Sequence, residues 1–137
     1  MSAAETTVLA GSQVPAGLSS ELEDEFRRAH SNGRVGSRLV SQTDRVRVWH
    51  LTLAPGERIG FHRHVLDYFW TAVTAGRGRS RYGDGRVVEV DYAAGDTRHH
   101  AYAAGESMMH DLTNIGDTTL SFVTVEFVES ANRPLAL

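Results

Sequence analysis

From Gly33 onward the chain is a run of short segments rich in Val, Ile, Leu, Thr and aromatic residues, each closed by Gly, Pro, Asn or Asp. Helical periodicity is absent from this part, and the alternation between β-formers and turn-formers predicts an all-β body. The pattern places strands near 37–41, 45–53, 58–64, 67–74, 78–82, 86–92, 97–102, 107–114 and 119–128. Strands this short and this regularly spaced fit a sandwich or a barrel. The clearest hairpin is Arg81-Tyr82-Gly83-Asp84-Gly85-Arg86, in which Asp84-Gly85 is expected to supply the positive-φ positions of a tight turn. Pro55-Gly56 and Asn114-Ile115-Gly116-Asp117 mark further turns.

Before Gly33 the signal differs. Residues 1–18, rich in Ala, Ser, Thr and Gly, show no lasting periodicity and are expected to form a loose arm. Ser20 followed by Glu23 reads as a capping box, and Leu22, Phe26 and Ala29 recur at helical spacing, so one short amphipathic helix is expected from Ser20 to about His30. His30 would then sit at the negative end of the helix dipole. Residues 19–137 are expected to form one domain, as suits a chain of 137 residues.

Composition removes several kinds of chemistry. There is no cysteine, which excludes thiol nucleophiles, disulfides and thiolate-held metals. All 14 basic side chains are arginine, so no lysine is present to form a Schiff base. A formal charge of −3 with interspersed signs gives no basic stripe for nucleic acid. No apolar run reaches the roughly 20 residues of a membrane span, and the N-terminus lacks the pattern of a secretory signal. The expected setting is the cytoplasm and the expected partner a small molecule.

Within the β pattern, Gly56-Glu57-Arg58-Ile59-Gly60-Phe61-His62-Arg63-His64 sets two imidazoles two positions apart. Side chains at that spacing leave the same face of a strand, with Cα atoms roughly 6.6 Å apart, so His62 and His64 can reach one ion while Arg63 faces away. A third imidazole, His110, stands four residues before Asn114 in a later glycine-marked segment. With cysteine absent, any metal must be held by nitrogen and oxygen, and His62, His64 and His110 are the candidate ligands for a divalent ion.

The order of Gly56, His62, His64, then Gly95, Gly105, His110 and Asn114 resembles the two sequence motifs of the cupin superfamily, over roughly residues 45–128. The resemblance implies a jelly-roll β-sandwich, or double-stranded β-helix, with the ion in its mouth and a homodimer as the expected assembly. Two positions depart from the family pattern. The expected glutamate ligand falls on Tyr68 or Phe69, and the usual proline is replaced at about Ala103. With Asp67 the only nearby carboxylate and directed outward by alternation, a three-histidine site is favoured. Asn114 is expected to form a turn.

Other residues near the motif were weighed by parity. Tyr68 and Trp70 share a face, and if it is inward they narrow the pocket. His99 and His100 leave opposite faces, so one of them can enter as a ligand, a supporting donor or an acid–base group. His50 shares a face with Val46, Val48 and Thr52, where it can line the cavity as a general base or hydrogen-bond within the core. Tyr68, His100 and His50 are thus the candidate catalytic residues. Arg77, Arg79 and Arg81 share a face that reads as a solvated sheet surface.

Three neutral imidazoles leave an ion its full +2 charge, which favours anionic chelating oxygens such as β-dicarbonyl enolates, catecholates or phenolic polyketide-like compounds. An enzyme is expected. With Fe(II), and with Ni(II) or Mn(II) acting similarly, the leading reading is a dioxygenase that cleaves carbon–carbon bonds. With Zn(II) the same geometry supports a redox-neutral cyclase, isomerase or lyase, and small cupins resembling this chain include polyketide cyclases. A third reading is a non-catalytic jelly roll that binds a small ligand.

Overall fold

The structure, a computed structural model, describes the backbone of Val8–Leu9 and residues 14–137. The elements are β1 (Val8–Leu9), α1 (Ser20–Arg28), β2 (Arg38–Gln42), β3 (Val46–Leu53), β4 (Arg58–His64), β5 (Tyr68–Ala72), β6 (Gly76–Arg81), β7 (Val87–Tyr92), β8 (Thr97–His100), β9 (Glu106–Asn114) and β10 (Leu120–Phe127). All nine expected strands are present with ends moved by a few residues. The two-residue β1, which pairs Val8 with Ser107 and Leu9 with Glu106, was not expected. It falls inside the expected arm, of which residues 1–7 and 10–13 lie outside the described residues. Val14 and Leu18 pack against the cluster of Phe26, Ala29, Phe61 and Met109.

Two antiparallel sheets face each other. One runs β2-β3-β10-β5-β8; the other joins β9 to β1, β6 and β4, with β7 beyond β6. Thr113 of β9 is in register with both Arg58 of β4 and Arg79 of β6, so those two strands flank β9 on opposite sides. Between the sheets lie Leu51, Leu53, Ala72, Leu112, Leu120 and Phe122, the alternate apolar positions of four strands. The fold is an all-β jelly roll with one short N-terminal helix.

α1 covers the outer face of β4 and β9. Phe26 and Phe61 are buried there with Ala29 and Met109, and their rings meet edge to face at 5.2 Å. Burying two phenylalanines contributes about 2–3 kcal/mol each. The helix is capped by Ser19, whose Oγ accepts from the Leu22 N–H at 3.3 Å, so the cap lies one residue before Ser20 and, with Leu22 at the third helical position, the expected capping box of Ser20 and Glu23 does not form. Of two adjacent serines, only Ser19 has the extended backbone a cap requires. α1 ends at Arg28 and a 3-10 turn, Ala29–Ser31, follows. There the His30 ring meets the Arg27 carbonyl at 3.2 Å.

The β6–β7 hairpin corrects a second expectation. Only Gly85, at φ 92°, is left-handed there, and no non-glycine residue among those described has positive φ. The Tyr82 N–H donates to the Arg86 carbonyl and the Gly85 N–H to the Tyr82 carbonyl. The loop is therefore Gly83-Asp84-Gly85 with one left-handed residue, and Asp84 instead accepts from the Arg86 N–H and Nε.

Candidate metal centre

β4 and β9 pair with His62 opposite His110 and His64 opposite Met108, which puts all four side chains on the inner face. The three imidazoles form a nearly equilateral triangle, with ring centroids 5.1, 4.7 and 5.1 Å apart and each pair steeply inclined. One ligand nitrogen from each lies within 4.8 Å of the others. Among the described residues no cysteine or carboxylate joins the group.

A bulge aims the first histidine. The register slips by one residue between Ile59 and His62, so Gly60 and Phe61 together oppose Asp111. Strict alternation would turn Ile59 away from His62 and His64, whereas the extra residue lets all three line one cavity. At the bulge the Gly60 carbonyl accepts from His62 Nδ1 at 2.8 Å, which fixes the tautomer and makes Nε2 the lone-pair nitrogen.

The bulge is braced from outside. Glu25 of α1 accepts from the Phe61 N–H at 2.8 Å and pairs with Arg58, whose Nε donates to the fully buried Asp111 at 2.8 Å. Arg81 also reaches Asp111, through Nη2 at 2.6 Å and through its own backbone N–H at 2.8 Å. The two guanidiniums lie near the Phe61 ring, 5.2 and 5.5 Å from its centroid. The hydrogen bond from Arg58 is the main reason the Glu25 carboxyl is held below its ordinary value. None of these contacts carried a signal in the sequence, which reads Arg81 as part of a solvated surface, because they are made only by packing across elements distant in the chain.

His64 and His110 approach through their Nε2 atoms at 3.2 Å. With metal–nitrogen bonds near 2.1 Å, two ligands at tetrahedral to octahedral angles stand about 3.0–3.4 Å apart. The pair therefore has the separation a shared ion requires. Burial, reinforced by neighbouring His62, His110 and His100, holds His64 well below the usual imidazole value, so it is neutral and available as a ligand. The residues present fit a divalent ion.

The remaining expected site residues separate into those near the triangle and those apart from it. Tyr68 is buried, its ring parallel to that of His64 at 4.1 Å and to that of His100 at 4.7 Å. Tyr68 and Trp70 both line the cavity. His99 is exposed, with its ring against Phe69. Asp67 accepts from the Tyr102 N–H at 3.1 Å and so secures a loop. Arg63 faces away as expected, donating to Ser107 and to the His30 carbonyl.

His50 is a correction. It is exposed on the outer face in register with Val123, while Trp49, Leu51 and Leu53 point inward, so it neither lines the cavity nor bonds within the core. Asn114 forms a turn: its Nδ2 donates to the Leu53 and Thr118 carbonyls and its Oδ1 accepts from the Gly116 N–H. Arg77 and Arg79 lie on an exposed ladder with Glu89 and Asp91, whereas Arg81 serves the buried Asp111.

The jelly roll thus gathers three histidines from two neighbouring strands on its inner face. No protein-family model and no curated protein sequence matches this chain. Solved structures do. A cupin domain from Bordetella pertussis Tohama I aligns at TM-score 0.58 and 27% identity, over 66% of this chain and 88% of that one. An uncharacterized conserved protein with a double-stranded β-helix domain from Klebsiella pneumoniae aligns at 0.54 and 25%, over 69% and 76%. An RmlC-like cupin family protein from Methanocaldococcus jannaschii, 18% identical at TM-score 0.52 over 69% and 84%, shares the fold. The chain is a small protein of the cupin fold. No helix among the described residues is long and apolar enough to cross a membrane.

Proposed function

We propose that this protein is a metal-dependent enzyme acting on a small anionic chelating oxygen compound, with His62, His64 and His110 as the ligands of Fe(II) and oxidative cleavage as the reaction. The observation that carries this reading is the convergence of three imidazoles, with no carboxylate, on the wall of a largely apolar cavity. Three neutral ligands leave the ion its whole charge, so an enolate or a catecholate is the donor it favours.

Cavity size narrows the choice. Its volume is about 60 Å³, well above the roughly 10–15 Å³ needed to admit a single water but small for a ligand site. A compact β-dicarbonyl fits that space better than a fused-ring phenol. Bound Fe(II) would polarise the chelated enolate and bring it next to dioxygen, the four electrons that reduce O₂ coming from the substrate as its carbon–carbon bond breaks and both oxygen atoms enter the products. The chain's own contribution is positional: the Gly60 carbonyl orients His62, Tyr68 forms a flat wall beside His64, and Leu51, Leu112 and Phe122 exclude water. Tyr68, which lines the cavity, is the proposed donor to substrate oxygen, and His100, stacked on its ring but not on the cavity wall, supports it.

The test is reconstitution. Protein loaded with Fe(II) without oxygen and then given pentane-2,4-dione and air is expected to consume one O₂ per diketone, while His62→Ala, His64→Ala and His110→Ala each lose stoichiometric metal and Arg63→Ala keeps it. Equal metal retention in all four variants would refute the site. Turnover of zinc-loaded protein without oxygen uptake would transfer the reading to redox-neutral catalysis, and tight binding without turnover to a ligand-binding role.

A further inference from the structure

The cavity has more than one kind of wall. His62, His64 and His110 lie on the ligand side, and Leu51, Leu112 and Phe122 are among its apolar residues. Among the described lining residues there is no Asp or Glu, and Arg98 is the one Arg. An anion entering the cavity therefore meets no repelling carboxylate on its walls.

Arg98 stands on β8 in register with Trp70, two residues before His100, which is in register with Tyr68. Arg98 and His100 leave the same strand face, roughly 6.6 Å apart along the strand. The His100–Tyr68–His64 series of stacked rings leads to the metal ligands, and Arg98, in register with Trp70, lines the same cavity as Tyr68 and the three histidines. It is half-buried, so water screens it only in part. A guanidinium offers five donors in a planar fork, enough to hold both oxygens of a carboxylate while keeping another contact.

We infer that Arg98 recognises a carboxylate on the substrate, and that the compound this cavity selects is a small β-dicarbonyl acid, its dicarbonyl at the three histidines and its carboxylate at Arg98. This rests on the chelating reading proposed above and adds the second anchor. One guanidinium matches the single charge and planar geometry of a carboxylate. A phosphate monoester, nearly doubly charged, would leave about one charge unmatched by a single guanidinium. The absence of lysine from the chain makes this arginine's fork geometry, not a mobile ammonium, the basis of recognition.

The experiment is calorimetric binding to zinc-loaded protein, which carries out no redox chemistry, of pentane-2,4-dione and of 2,4-dioxopentanoate, the same diketone bearing a carboxylate. The wild type is expected to bind the acid at least tenfold more tightly. Arg98→Met is expected to lose that preference while keeping its zinc content and its affinity for the diketone, and Arg98→Lys to recover only part of it. Equal affinity for the two compounds in the wild type, or an undiminished preference in Arg98→Met, overturns the role of Arg98 and leaves the chelating site standing. Binding of neither compound to zinc-replete protein overturns the chelating reading, and this inference with it.

Discussion

Replacing Glu25 by alanine asks whether the helix shapes the metal site from behind. The Glu25 carboxylate accepts from the Phe61 N–H and pairs with Arg58, and the bulge it holds presents the Gly60 carbonyl to His62. A hydrogen bond to a charged acceptor contributes about 1.5–3 kcal/mol. The Arg58 pair, with side chains 24% and 29% exposed and with Asp111 still available to Arg58, adds no more than about 1 kcal/mol. Water reaching the vacated N–H offsets part of this, so the expected loss is about 2–3 kcal/mol. In a chain of this size that lowers Tm by roughly 10 °C.

Removing a support behind a ligand typically weakens metal binding 10- to 100-fold. Glu25 acts one step farther out, so a loss of about tenfold is expected, measured by competition with a chromophoric chelator. Glu25→Gln keeps an acceptor for Phe61 and loses only the charge, so its effects should be a few degrees and less than about threefold. Because Arg58 holds the Glu25 carboxyl below its ordinary 4.5, the stabilisation is complete above that pH and fades as pH falls through the lower folded value. The gap between wild type and Glu25→Ala should therefore close in acid. An alanine variant that melts about 10 °C lower yet binds Zn(II) with unchanged affinity would show that the bulge aims His62 without the helix.

Tyr68→Phe is expected to retain stoichiometric metal, since the ring stack on His64 survives, and to change turnover several-fold; loss of the metal would make the phenol a ligand. Burial lifts the Glu126 carboxyl to about 7 against the opposing Trp49 N–H bond at 2.7 Å, so this group's contribution to stability is fully present below pH 4.5 and is lost as pH rises through 7. Glu126→Gln, which keeps an acceptor for Trp49, should gain up to about 3 kcal/mol over wild type between pH 5 and pH 8 in urea unfolding, and a pH-independent difference would show that Glu126 does not titrate there. The proposed homodimer is supported by an outer sheet face carrying Val73 and Phe127, 54% and 39% exposed, beside half-buried Val123 and Val125. Sedimentation at micromolar concentration should give twice the monomer mass and Phe127→Glu the monomer; a monomeric wild type removes the proposal.

What the sequence reveals here follows the reach of its rules. Alternation is local, so it correctly places His62 and His64 together with Arg63 opposed, and Tyr68 with Trp70. It gives relative faces but not which face is inward, and His50 was misplaced for that reason. The stronger apolar set, Trp49, Leu51 and Leu53, marks the buried side of β3 and leaves His50 outside. Alternation also fails at an insertion. The bulge at Gly60 and Phe61 reverses the parity of Ile59 relative to His62, and a glycine in a strand is only a weak sign of it. Glu25, Arg58, Arg81 and Asp111 lie beyond any local rule, because their meeting depends on where α1 docks.

The two sheets carry different parts of the site, and this has a consequence for how the protein can change. The three histidines belong to β4 and β9 of one sheet, braced from outside by α1. Tyr68, Trp70, Arg98 and His100 belong to β5 and β8 of the other. Substitutions on β5 and β8 can therefore reshape what enters the cavity without disturbing the bulge, the Gly60 carbonyl or the brace that orient the ligands. One contact between the two halves is the stack of Tyr68 on His64, at 4.1 Å. On that division, Arg98→Met and Tyr68→Phe should each weaken substrate affinity and be silent in metal affinity, while Glu25→Ala should show the reverse. Strong coupling between Arg98→Met and Glu25→Ala in a double-mutant cycle would mean that the sheets act as one unit and that ligand geometry and substrate choice are not separable.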